Sequence, residues 1–506
     1  PAAVSGARDI PSVKAVSYKD GRMAAKTFVF IGDDKQAIYE FRGARPDEFI
    51  EKSDLVEGEF STVLLATNFR SGEVIVDAAN KLIAHNEKQI PMTCDSNPEK
   101  GKGSIYNVVV ADHQAGAELT ADEIQQATSG EGATAAYSDF GVAVRTNAEA
   151  YAFGVEMIRR GIPFRSKVNF FNDATTQAIL YWLRLAGADP GDKNTINECV
   201  LNAHKAPNFG LDKVFESALQ QRARGQNYLE FLRNGGWQGI YNQEWRNRKN
   251  VKEYTDTLEQ VFDMAGSPEE LLGQILDLKG TMFKGVRQTI VDAMVNKVKG
   301  SPDAMDMLFE EVGGKDDVSD EAIRNMALAP IQPLMSLISG YEDVGPALDY
   351  VGKLQRANEK QGKKDDPKAP DYNEPAVVID TCHGWKGLEV PHLYVPMARG
   401  VFPHKRSEEE GAEAMASERR LAYVALTRGE QSVTVINPMI THTGQPGGVS
   451  PFVNEACIKP PGHEDPSTDA APARTTPERT AFLLSYAKGD FDDEADDTLA
   501  AWEMDE

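Results

Sequence analysis

Gln36 follows the run Lys26-Thr27-Phe28-Val29-Phe30-Ile31, which reads as a buried strand ending at Gly32-Asp33-Asp34. Polar side chains just past a buried strand sit at the carboxyl edge of a sheet, where α/β proteins bind ligands. An amide has a donor and an acceptor, so Gln36 could sense a phosphate. Tyr39 and Phe41 come next. Their rings could stack on unpaired bases, at about 1–3 kcal/mol each, or pack in a core, where most aromatics go. Arg70 precedes a segment that can start a helix. Backbone N–H groups there favour an anion, and a guanidinium can grip a phosphate bidentately; the alternative is an isolated surface charge. Gly384 and Gly387 allow close backbone approach. Trp385 between them either packs locally or adds a ligand contact. Arg419 and Arg420, adjacent on a helical stretch, would by themselves be solvated.

Such groups need strands and helices to position them. Val63-Leu64-Leu65 is a short strand candidate. Ser71 can N-cap a helix from about Gly72 to His85, with Val74, Ile75, Ala78, Ala79, Leu82 and Ile83 on one apolar face. Strands are predicted over 105–110 and 141–144, a helix and loop over 111–136, and a helix over 151–160. This alternation points to an α/β layer with a mostly parallel sheet. From about 186 to 356 amphipathic helical patterns dominate, with helix starts at Ser267-Pro268-Glu269-Glu270 and Ser301-Pro302-Asp303. Residues 357–374 are polar and rich in Lys, Asp and Pro, and read as a linker. Strands return at 376–380 and 393–395, then a helix over 418–427 and a strand over 432–436. The reading is an α/β domain interrupted by a helical insertion, without internal repeats.

At 506 residues the chain should hold about two to four domains. Its composition, 41% hydrophobic and 26% charged, is globular. No apolar run approaches membrane-span length, and the first residues lack a signal pattern, so no membrane association is expected. Cys94, Cys199, Cys382 and Cys457 are scattered and form no metal-binding pair. A reducing, cytoplasmic setting is the default. The net charge of −24 lowers the expectation of nucleic-acid binding. It does not exclude it, because residues 489–506 alone hold nine acidic and no basic residues. That acidic tail is either solvated or a dock for a protein partner.

The segment Gly32-Asp33-Asp34-Lys35-Gln36-Ala37-Ile38-Tyr39-Glu40-Phe41-Arg42-Gly43-Ala44 resembles motif III of superfamily 1 DNA helicases of the UvrD/Rep/PcrA kind. The resemblance implies that Gln36 couples nucleotide state to the DNA site, that Phe41 (usually Trp in the family) stacks on a single-stranded base, and that Tyr39 and Arg42 also face DNA. Thr67-Asn68-Phe69-Arg70-Ser71 is similar to motif IV and puts Arg70 at the γ-phosphate. Thr381-Cys382-His383-Gly384-Trp385-Lys386-Gly387-Leu388-Glu389 resembles motif V; Thr381 and His383 would lie near DNA and Glu389 would bond the nucleotide ribose. Trp385 replaces a small residue there, and its role stays open. Phe402-Pro403-His404 is similar to a segment whose His flanks a base. Glu418-Arg419-Arg420-Leu421-Ala422-Tyr423-Val424-Ala425-Leu426-Thr427-Arg428 resembles motif VI, with Arg428 as arginine finger and the preceding arginines in ion pairs. A weaker match over 139–150 makes Arg145 and Asn147 candidate DNA-backbone contacts. The aromatic that often follows motif VI is replaced by Thr441-His442-Thr443-Gly444.

The resemblance runs over roughly 27–456. Nowhere does the chain read G-x-x-x-x-G-K-[ST], the phosphate-cradling loop. Asp47-Glu48 and Asp122-Glu123 follow no strand that would make them a magnesium-binding box. The expectation is therefore a P-loop NTPase (RecA-like) helicase fold seen from its C-terminal side. It comprises the edge of a first RecA-like domain (1–62), a second such domain (63–185 and 366–456), an inserted all-helical accessory domain (186–365) and an acidic tail (457–506). ATP and Mg²⁺ are the implied cofactors, held mainly by a missing N-terminal motor half. Single-stranded DNA and duplex junctions are the implied partners, and 3′→5′ translocation the implied activity, with this chain alone inactive as an ATPase. The alternative is a non-catalytic single-stranded-DNA-binding or regulatory module left from a split or truncated helicase. Nucleotide-facing Arg70, Glu389 and Arg428 speak against it. A helicase–nuclease fusion is disfavoured because about 50 residues after the α/β domain are too few for a nuclease.

Overall fold

The computed structural model describes residues 31–40, 64–129, 133–167, 170–205, 213–240, 245–278, 329–364 and 374–460, with single positions 46, 50, 209 and 211. The strand expected at 26–31, the helix start at Ser301, and Phe41 and Arg42 lie outside these residues, apart from Ile31 itself.

The chain enters through β1 (Thr67–Asn68), helix α1 (Glu73–Ile83) and β2 (Asp95–Ser96), which pairs in parallel with β1. The strand expected at 63–65 is thus a two-residue ladder slightly later. Ser71 does not cap α1 either. Gly72 holds the cap position without a side-chain bond, and the Ser71 hydroxyl donates to Gly429 O at 2.7 Å. Gly72 fits because a Cβ there would lie 2.7 Å from the backbone of Gly103.

Six strands then form one sheet: β3 (Ser104–Asp112), β4 (Phe140–Val144), β5 (Phe164–Ser166), β6 (Val377–Thr381), β7 (Val390–Pro396) and β8 (Gly429–Ile440). Their order is β3-β8-β7-β4-β6-β5, and every pairing is parallel. Helices on both faces leave the central strands dry, so all five residues of β4 are buried. Helix α2 (His113–Thr128) follows β3, and α3 (Asn147–Arg160) follows β4 through a Thr146/Glu149 capping box. Asp122-Glu123 lie within α2.

Between β5 and β6 the described residues form helices only, including α4 (Ala174–Ala186), α5 (Pro268–Asp277) and α6 (Val344–Lys364). α5 begins at the expected Ser267, whose hydroxyl and Glu270 cap each other. Helical structure starts before residue 186, and α6 runs to Lys364, so the polar stretch after 356 is helical for two more turns rather than a linker from its start. Helix α7 (Lys405–Glu410) follows β7, and α8 (Ala412–Leu426) leads into β8. None of the described helices is long and apolar enough to cross a membrane.

Two features position the site. First, α8 feeds the amino end of β8, so it runs back against the strands. The connection from β6 to β7 is the second. These strands flank β4, yet only residues 382–389 join them, without a helix. That short crossover must return along the sheet face from a carboxyl end to an amino end.

Candidate functional site

Because all six strands are parallel, one edge of the sheet collects their amino ends and the other their carboxyl ends. Glu389 immediately precedes β7 and Arg428 immediately precedes β8, so both stand at the amino edge. Arg70 joins them. Asn68 Oδ1 accepts the backbone N–H groups of Arg70 and Ser71 at 2.8 and 2.9 Å, which fixes the turn carrying the guanidinium. Arg70 Nε then reaches Glu389 Oε2 at 2.6 Å and its Nη1 reaches Thr427 O at 3.3 Å. Arg428 donates from Nε to Val424 O at 3.0 Å, from Nη1 to Leu388 O and from Nη2 to Gln36 Oε1, both at 3.4 Å. Gln36 in turn donates to Asp33 Oδ2 at 2.6 Å. Gln36, Arg70, Glu389 and Arg428, expected as one group, are therefore one cluster.

Its two guanidinia are close enough to repel each other. Burial and the neighbouring Arg70 charge push the Arg428 pKa down to about 10. The Arg70 hydrogen bond holds the Glu389 carboxyl below its ordinary value. Burial raises the Asp33 carboxyl, against the Gln36 bond. The two guanidinia thus stand close together, with the largely exposed Glu389 bonded to Arg70, Asp33 behind Gln36, and only neutral oxygens bonded to Arg428. An added anion would relieve their mutual repulsion, so the donor set fits a phosphate. Arg70 is 28% exposed and Glu389 55%, so the pair can be exchanged for a ligand. Phe69, 69% exposed, and the exposed Leu388 flank the cluster with apolar surface. Sequence reading assigned Phe69 no role, although its place beside Arg70 was a usable signal. No group of three or more His, Cys, Asp or Glu residues that could hold a metal ion occurs among the described residues.

The carboxyl edge holds the other expected group. Thr381 ends β6; its side chain is buried and its hydroxyl accepts Gly384 N–H at 3.1 Å. His383 is buried with its ring 5.9 Å from that of Tyr39, whose hydroxyl donates to His383 O at 3.4 Å. Lys386 Nζ lies 4.8 Å from the Tyr39 ring centre and donates to Gln36 O at 3.1 Å. Asn147 opens α3. Trp385 packs locally: it is buried, and its indole Nε1 donates to Val142 O at 2.9 Å. Gly141 makes room, since a Cβ there would lie 2.3 Å from the indole.

Arg145 requires a correction. Expected at a DNA backbone, it is 1% exposed and its Nη2 meets Glu418 Oε1 at 2.7 Å. Burial opposes its charge, but the adjacent Glu418 carboxylate outweighs that and raises the pKa. A guanidinium buried against a carboxylate has no face for a phosphate. Glu418, 7% exposed, also accepts the His404 backbone N–H at 3.2 Å through Oε2. Burial and the Arg145 charge lower the His404 pKa. The sequence does not signal this role for Glu418, because Arg145 lies 273 positions away.

Two segments span the edges besides the crossover. Helix α8 carries Glu418 near one edge and Arg428 just past its end at the other, about 15 Å apart by helical rise. Residues 36–40 lie alongside it. Gln36 meets Arg428, and Glu40 pairs with Arg420 two turns back. Arg419 is held by Glu455 at 2.6 and 2.9 Å and by Asn86 at 2.6 Å. The two adjacent arginines thus bind protein acceptors rather than solvent.

A parallel α/β sheet with this motif order defines a RecA-like helicase fold. Residues 63–437 match the UvrD-like helicase C-terminal domain, and residues 18–57 match the UvrD/REP helicase N-terminal domain. The chain belongs to the UvrD-like helicase family. It is 27% identical over 427 residues to the ATP-dependent DNA helicase UvrD1 of Mycobacterium tuberculosis, covering 82% of this chain and 51% of that protein. It is 25% identical over 415 residues to the ATP-dependent DNA helicase PcrA of Bacillus subtilis, covering 80% and 50%. Against the ATP-dependent DNA helicase Rep of Escherichia coli it is 24% identical over 419 residues, covering 80% and 55%. The chain spans about half the length of these relatives.

Proposed function

We propose that this chain supplies the C-terminal half of an ATP-dependent DNA helicase that translocates 3′→5′ on single strands. In this reading the amino-edge cluster faces the triphosphate and the carboxyl-edge group faces the strand. The observation that carries it is the meeting of Gln36, Arg70, Glu389 and Arg428, residues up to 392 positions apart, with the two guanidinia close enough to repel each other. ATP bound there supplies a phosphoryl group whose transfer develops charge on the γ-phosphate oxygens. Arg70 would leave Glu389 to bind that phosphate. Arg428 would exchange its long contacts for a charge-assisted bond and so offset the developing charge. Gln36, bonded to both Asp33 and Arg428, would register the exchange and pass it along residues 36–40 to Tyr39. Glu389, once released, would be available to the ribose, and Phe69 to the base. Mg²⁺ and the phosphate-cradling loop belong in this proposal to the N-terminal motor half. Tyr39, Phe41, Arg42, Asn147, Thr381, His383 and His404 are the proposed strand contacts. The helices between β5 and β6 are proposed as an accessory domain.

The test is ATP turnover with single-stranded DNA. We expect none from the chain alone. Turnover should appear when a polypeptide carrying the P-loop half is added, and Arg428→Ala should abolish it. Turnover by the chain alone, or reconstituted turnover indifferent to Arg428→Ala, would overturn the proposal.

A further inference from the structure

We infer that Glu418 is a positioning residue for His404, with Arg145 as the buried counter-charge that orients its carboxylate. This rests on the proposed role of His404 as a strand contact. Both carboxylate oxygens of Glu418 are committed. Oε1 takes Arg145 Nη2 at 2.7 Å, while Oε2 takes the His404 backbone N–H at 3.2 Å. Arg145 Nε also lies 3.3 and 3.2 Å from the two oxygens, so the guanidinium fork fixes the carboxylate plane. His404 itself caps α7: its Nδ1 accepts Arg406 N–H at 3.3 Å. Main chain and ring are therefore both held, and with Nδ1 accepting, the ring proton sits on Nε2 as a donor. The approach to the loop is pinned as well, since the Ser450 hydroxyl donates to Phe402 O at 2.6 Å.

A buried ion pair is a poor device for stability alone, because apolar side chains of similar size often stabilise as well or better. What it supplies is a fixed direction. Here the direction given by Arg145 turns the second oxygen toward the loop that presents His404. Because Glu418 rides on α8, His404 is referenced to the same helix that ends at Arg428.

The test is binding of a fluorescein-labelled oligothymidylate to the full chain, read by anisotropy. Wild type is compared with His404→Ala, with the double replacement Arg145→Met/Glu418→Met, and with the three changes combined. The double replacement leaves neither charge buried alone, and its thermal midpoint checks that it folds. His404→Ala and the double replacement should each weaken binding about tenfold, the scale of one base contact. The combination should weaken it no further. Losses that multiply to about a hundredfold overturn the inference, since independent sites add in free energy. An unchanged affinity in the double replacement overturns it too. An unchanged affinity in His404→Ala overturns the strand-contact reading, and the inference with it. As a second measure, Glu418→Gln keeps an acceptor for His404 and should bind more tightly than Glu418→Ala. Equal losses in those two variants overturn the inference.

Discussion

The two edges of the sheet use the same kind of ion pair in opposite ways. Arg70–Glu389 at the amino edge is half in solvent, and neighbouring Arg428 holds only neutral oxygens at mostly long range. At the carboxyl edge Arg145–Glu418 is dry, multiply bonded and tied to a backbone N–H. A charge that must change partners is left weakly engaged in high dielectric, where exchange costs little. A charge that must hold geometry is buried, where losing its partner costs much. In the proposed function the same two residue types would serve exchange at one edge and fixation at the other, and burial distinguishes them.

The largest expected effect breaks the fixed pair. Glu418→Ala strands the Arg145 charge and should lower stability by about 3–5 kcal/mol, measured by urea denaturation. A loss below 1 kcal/mol would remove the contrast between the edges. Next, acid should weaken the region around the carboxyl edge. Burial, His113 and His404 push the His442 pKa down to about 3, and burial also lowers His113 and His404. A depressed histidine contributes stability that is present above its unfolded pKa near 6.5 and is lost as pH falls toward the folded value. From pH 7 to pH 5, His442 alone should cost about 2 kcal/mol. The carboxyls of Asp33, Glu118 and Glu123, raised by burial, act in the opposite sense. Urea midpoints measured for wild type and His442→Gln across that range isolate the histidine; parallel curves would refute its assignment. Gly141→Ala drives a methyl into the Trp385 indole and should cost about 1–3 kcal/mol, with a change in tryptophan emission reporting the displaced ring. The smallest effect is at the exchangeable pair. Glu389→Gln should change stability by less than about 1 kcal/mol, while freeing Arg70 and raising the affinity of the chain for tripolyphosphate. A large loss of stability there would show that this pair, too, is structural.

Much of this was legible in the sequence, for definite reasons. Alternation of buried runs with helical spacing gave the parallel sheet, because strands covered on both faces must be apolar throughout, as β4 is. Gln36, Arg70, Glu389 and Arg428 could be singled out because they fall at matching positions of the motifs that carry the family resemblance. Their geometry could not be read. Arg70 meets Glu389 across 319 positions and Arg145 meets Glu418 across 273, and no local pattern reports such a pairing. Arg145 was misplaced for that reason: the resemblance over 139–150 points it at DNA, but its partner arrives from another helix. Ser71 looked like a cap, yet its hydroxyl was claimed by Gly429. Trp385 stayed ambiguous because the space it fills is made by a missing side chain at Gly141.

Residues 382–389 are short for a parallel crossover. A typical parallel crossover contains a helix, which adds slack and a second packing surface. Here eight residues return across β4 with a tryptophan nailed to its middle. His383 stands on one side of the Trp385 anchor and Glu389 on the other, within one short connection. In the proposed function, a displacement of Glu389 as Arg70 changes partner would fall within a few peptide units of His383. In that reading the short connection would limit how far the two edges move independently of each other.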